Sequence, residues 1–165
     1  MLTRRTVCLA TVLTFMLVTD VVSAKAQEWH TCFTLASLKG SYSIVGTYGA
    51  NIAIALAKRS VDGAGNLTGT FVVNEPTAGS TTGARTLVTG TNAGTIAVNC
   101  DGTGVVTRVL TVAGVQTQQF DDFVITEATI KDGELIATTI VDAQRTSSTI
   151  VSGGVFLRRT WTRVP

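Results

Sequence analysis

Residues 41–48 read SYSIVGTY and residues 52–58 read IAIALAK. In the first stretch Tyr42, Ile44 and Tyr48 fall on one face. In the second, Ile52, Ile54 and Leu56 share one face while Ala53, Ala55 and Ala57 share the other. Alternation with a period of two marks a β-strand with one buried side. The alanine-rich run would also suit a helix on propensity alone, but its alternation favours a strand.

Similar runs follow at Leu67–Asn74, Arg85–Thr91, Thr95–Cys100, Val105–Val112, Val115–Glu127, Leu135–Asp142 and Thr149–Thr162. Turn signals stand between many of them: Asp62-Gly63-Ala64-Gly65, Asp101-Gly102, Ala113-Gly114 and Asp132-Gly133. Short strands joined in chain order by such turns predict an antiparallel meander. From residue 27 onward the chain holds 24 Thr, 16 Val and 9 Ile, β-branched side chains that suit a pleated sheet. The expected class is all-β. With about eight strands, closing the sheet removes its exposed edges, so an up-and-down barrel is the leading architecture and a two-sheet sandwich the alternative.

The amino terminus has the order of a cleavable export signal. Arg4 and Arg5 precede an apolar stretch from Val7 to Val22, interrupted by small hydroxyl residues and Asp20, and Ser23-Ala24-Lys25-Ala26 follows. The apolar stretch is shorter than the ~20 residues that span a membrane, so a retained anchor is not expected. Cleavage is expected after Ala26, with Ala24 as the second choice. Thr3-Arg4-Arg5 also permits twin-arginine export. Cys8 opens the apolar run instead of following a small-residue box, which does not fit a lipoprotein. The expected location is the periplasm or the extracellular space.

Removing residues 1–26 takes Lys plus Arg from 13 to 10 and Asp plus Glu from 11 to 10, leaving a formally neutral chain. Such a chain lacks the one-sided charge of a nucleic-acid binder. Residues 27–38 are read as a leader and 39–165 as a single domain. Two cysteines remain, Cys32 and Cys100, and in an oxidising compartment they are expected to pair as a disulfide. A two-thiol metal site would lack the further ligands that zinc requires. Residues 75–84, EPTAGSTTGA, read as a long polar loop.

Three motifs carry a resemblance: Leu38-x-Gly40-x-Tyr42, Asp62-Gly63-x-Gly65-x-x-x-Gly69, and Gly94-Thr95-x-x-x-Asn99-Cys100-x-Gly102-Thr103. Over residues 32–104 the chain resembles a group of small secreted bacterial proteins of uncharacterised function. In overall plan it is similar to calycin-like and allene-oxide-cyclase-like barrels, without active-site residues of those families to carry over. The resemblance implies export and a barrel.

Tests for chemistry return little. His30 is the single histidine of the chain and lies in the leader, a poor place for a catalytic base. The Asp-Gly-x-Gly turn offers one carboxylate where calcium loops need several. No cofactor and no metal are expected. Asp121, Asp122 and Glu127 form an acidic cluster within an apolar run, and the spacing of Phe120 and Phe123 is read as a bulge near Asp121-Asp122. Arg108 shares a face with Val106, Leu110 and Val112, so it is expected to point inward and to pair with Glu127 or Asp122. Asn66-Leu67-Thr68 is a glycosylation sequon on a turn.

Tyr42, Tyr48, Phe71, Phe120, Phe123, Phe156 and Trp161 are spread over several strands and would converge inside a barrel. The expected function is non-enzymatic binding of a small apolar ligand. Its candidate residues are Tyr42, Tyr48, Phe71, Arg108, Phe120, Asp122, Phe123, Glu127 and Trp161. One alternative is a cofactor-independent cyclase or isomerase using Asp122 or Glu127 at a pocket. Another is an envelope interaction module with an exposed apolar patch.

Overall fold

A computed structural model describes residues 32–165. The expected export signal, its Cys8, the leader up to residue 31 and His30 lie outside the described residues. A single helical turn, α1 (Leu35–Leu38), precedes eight strands. These are β1 (Gly40–Tyr48), β2 (Ala53–Val61), β3 (Asn66–Pro76), β4 (Arg85–Val98), β5 (Thr103–Val112), β6 (Val115–Lys131), β7 (Glu134–Gln144) and β8 (Leu157–Arg163). Every strand pairs antiparallel with its chain neighbours, and β8 returns to β1, with Tyr42 opposite Arg163 and Tyr48 opposite Leu157. The sheet is a closed up-and-down barrel, as the alternation and turns predict.

Several boundaries differ from the sequence reading. The runs at 85–91 and 95–100 fuse into one strand, β4, because Asn92-Ala93-Gly94 continues the ladder against β3 and β5. The last run forms a strand only from Leu157. Residues 145–156 cross one end of the barrel instead, burying Val151 and leaving Phe156 exposed, so that aromatic does not join the core. The register shift in β6 falls at Ile125/Glu127 and not at Asp121-Asp122. The alternation of Gln119, Asp121, Phe123 and Ile125 runs inward without interruption up to that point.

On β2 the small face is the inner one. Ala53 and Ala55 are buried, whereas Ile52, Ile54 and Leu56 face outward and are largely exposed. Larger side chains from other strands occupy the space that the alanines leave. Inside, two apolar clusters fill the two ends. One gathers Leu38, Tyr42, Ile44, Val61, Leu67, Ile96, Val106, Phe123, Ile140 and Trp161, and α1 plugs that end. The other gathers Tyr48, Ala53, Ala55, Val73, Val151 and Leu157 beneath the crossing segment. Cys32 and Cys100 are bonded, with Cα atoms 4.4 Å apart, and the amide of Phe33 donates to the carbonyl of Cys100 at 3.1 Å. The bridge therefore fastens the segment before α1 to the β4–β5 turn.

Between the two apolar ends lies one polar layer. It takes Arg59 from β2, Asn92 from β4, Arg108 from β5, Asp121 from β6, Asp142 from β7 and Arg159 from β8. Each arginine faces a glycine on a neighbouring strand: Gly69 opposite Arg59, Gly94 opposite Arg108 and Gly46 opposite Arg159. A Cβ on Gly46 would lie 2.6 Å from Cγ of Arg159, and one on Gly94 would lie 2.7 Å from Cα of Arg108. At Gly46 the absence of a side chain makes room for the stem of Arg159, and at Gly69 and Gly94 it lets the backbones of neighbouring strands approach closely.

Candidate functional site

Three guanidinium groups and two carboxylates meet in the polar layer, none more than 3% exposed. Arg108 donates from Nε to Asp121 at 2.6 Å and from Nη2 at 3.2 Å. Arg159 donates from Nε to Oδ1 of Asp142 at 2.7 Å and from Nη2 to Oδ2 at 2.8 Å. The same Nη2 lies 2.8 Å from Asp121, so Arg159 bridges the two carboxylates. Trp161 Nε1 adds a third donor to Asp142, 2.8 Å from its Oδ2. Buried carboxylates are tolerated only when paired and hydrogen-bonded in this way.

The electrostatics follow from those contacts. Burial alone would raise the pKa of Asp121, but Arg159 and the hydrogen-bonded Arg108 outweigh it and hold the carboxyl below its usual range. Burial opposes the charge on Arg159 as well, yet Asp142 and Asp121 overcome that cost and raise its pKa. Arg59 is treated differently. Burial, then Arg159 and Arg108, press its pKa well below the ordinary arginine value. Its guanidinium carbon lies 4.1 Å from the centroid of the Trp161 ring, a cation–π stack. Oδ2 of Asp142 stands 4.0 Å from its Nη1.

Above this layer Gln144 donates to Oε1 of Gln119 at 2.6 Å and accepts from the amide of Leu157 at 2.9 Å. The amide pair ties the start of β8 to β6 and β7. One cavity adjoins the layer, and a second shares two lining residues with it. The inner one is lined by Arg59, Asn92, Arg108, Arg159, Phe71 and Tyr48 among others, and leaves about 20 Å³ for the centre of a water molecule. The second is a cleft of about 380 Å³ at the barrel mouth, between Val88, Leu110, Val112, Val115 and Ile150. Leu110 and Ile150 border both cavities.

The candidate residues divide accordingly. Tyr42, Tyr48, Arg108, Phe123 and Trp161 are buried inside the barrel, and Phe71 is half-buried against the inner cavity. Burial raises the pKa of both Tyr42 and Tyr48. Phe120, Asp122 and Glu127 do not join them. Phe120 lies between the inward-facing Gln119 and Asp121 and is half-buried. Asp122 is exposed and paired with Arg145, whose hydrogen bond lowers the pKa of Asp122. Glu127 is exposed and accepts from Thr139 Oγ1 at 2.6 Å. The partner of Arg108 is thus Asp121, not Asp122 or Glu127. Asp122 has outward parity on β6, and Glu127 follows the register shift.

Arg59, Asn92, Asp142 and Arg159 escaped the sequence reading. A signal for them was present: Arg59 continues the Ala53-Ala55-Ala57 face, and Arg159 alternates with Trp161. On the outside, Val45, Leu56 and Val72 lie in register across β1, β2 and β3, with Val45 56% and Leu56 50% exposed. The described residues include no helix long and apolar enough to cross a membrane and no cluster suited to a metal ion. Compared with family models, curated proteins and solved structures, the chain matches none.

Proposed function

We propose that this protein is an exported, non-enzymatic barrel that binds a small, mostly apolar molecule at its mouth and not along its axis. The observation that carries the reading is the cleft of about 380 Å³ lined by Val88, Leu110, Val112, Val115 and Ile150. Apolar clefts of that order suit small ligands, whereas the interior is occupied by side chains. Export is supported by the amino-terminal sequence pattern and fits the disulfide. Val115 is 68% exposed, so changing it tests the cleft without disturbing the core. Titration with N-phenyl-1-naphthylamine is expected to give saturable fluorescence, and Val115→Glu to weaken binding about tenfold, near the value of one buried apolar side chain. Unsaturable binding, or equal affinity in the variant, would remove the reading.

The outer row of exposed Val45 and Leu56 with half-buried Val72 favours a second reading, an interaction module using the outer face of β1–β3. Sedimentation showing a strict monomer that Leu56→Lys leaves unchanged in solubility would count against it.

A further inference from the structure

The buried charges of the polar layer do not balance. Arg59, Arg108 and Arg159 face Asp121 and Asp142, leaving one positive charge in excess. The two carboxylates are already taken, Asp121 by Arg108 and Arg159, Asp142 by Arg159 and Trp161. Arg59 has only Asp142 Oδ2, at 4.0 Å from its Nη1 and too far to accept a hydrogen bond. Among the described residues no acceptor hydrogen-bonds its Nε or Nη1, although the residue is 97% buried.

A buried guanidinium without hydrogen-bond acceptors is costly, and arginine does not escape the cost by losing its proton. Stacking on Trp161 satisfies the face of the guanidinium and leaves its edge N–H groups unspent. Arg59 also lines a cavity of about 20 Å³. That is room for one small species and too little for a bulky or multiply charged one.

We propose that Arg59 forms a buried binding site for a compact monovalent anion, either a free halide-sized ion or the carboxylate head of a small organic acid. The anion restores neutrality to the layer and accepts from the Arg59 edge. The site stands whether or not the mouth cleft takes a ligand. Only the organic-acid source rests on that reading, since Leu110 and Ile150 separate the cleft from the cavity.

The test is the thermal midpoint of the purified protein at constant ionic strength, with sodium gluconate as the anion too large for the cavity. Chloride, bromide or formate is expected to raise the midpoint, on the order of 5 °C at about one hundred times the dissociation constant. Octanoate acting at far lower concentration than formate assigns the site to an organic acid, and halides acting at least as well as formate assign it to a free ion. Arg59→Met, which leaves two arginines facing two aspartates, is expected to lose the anion response and to be no less stable than the wild type in gluconate. A wild-type midpoint equal in all these salts overturns the proposal. So does an Arg59→Met variant destabilised by the same amount in every salt, because Arg59 would then act only through its stack on Trp161. Should that variant fail to fold, bromide-soaked wild-type crystals decide. An anomalous peak at the edge of Arg59 supports the site, and ordered water there with no anomalous signal refutes it.

Discussion

Asp121 receives Arg108 and Arg159 at once, and this sets what single substitutions cost. Arg108→Met would leave a buried carboxylate with one partner fewer, so a loss of about 3–5 kcal/mol in urea unfolding is expected. The pH dependence follows from the lowered pKa of Asp121. A depressed carboxyl stabilises the fold fully above its unfolded value of about 3.9 and loses that contribution as pH falls toward the folded value. Stability should therefore fall on acidification below about pH 4, and Asp121→Asn should make that decline shallower when midpoints are followed by circular dichroism. Arg108 was legible as an inward charge because it shares a face with Val106 and Leu110. Arg59 was not, because an arginine following three alanines reads as the solvated end of a strand. The glycines opposite the arginines reveal the layer, but their pairing is set by register, which one strand alone does not carry.

At the level of elements, the meander follows directly from alternation and turn residues, whereas strand ends do not. Asn92-Ala93-Gly94 has the composition of a turn, yet it is the middle of β4, paired to β3 and β5 on both sides, with Gly94 lying close against the β5 backbone at Thr107-Arg108. The 149–162 run is apolar enough for a strand, but its first part caps the mouth, with Ser148 accepting from the amides of Ile150 and Val151 at 3.1 and 3.0 Å. The polar 75–84 stretch is a true hairpin connection at its tip. Thr77 donates to the carbonyl of Ala84 at 2.9 Å, and residues 78–83 are mostly exposed beyond that bond. Replacing residues 78–83 with Asn-Gly is expected to change stability by less than about 1 kcal/mol, since loop closure varies slowly with length. A larger loss in urea titration would mean that the loop packs on something essential.

Across the whole molecule, the closed barrel was within reach of the sequence because eight alternating segments leave few other ways to hide their edges. Whether the interior was hollow was not, since that depends on which layer each long side chain enters. The bridge between Cys32 and Cys100 spans 68 positions. Breaking it with a reductant should lower stability by about 4 kcal/mol on the chain-entropy account, read as a lower urea midpoint for the reduced protein. The closure of β8 onto β1 has one more consequence. The strand that completes the cylinder is the last to be made, and its partner is the first, more than one hundred positions earlier. A chain still emerging, whether from the ribosome or from an export channel, therefore carries two open hydrogen-bonding borders until residues 157–163 arrive. A polypeptide ending at residue 156 is expected to collect in inclusion bodies, because β1 and β7 would each remain free to recruit a neighbour.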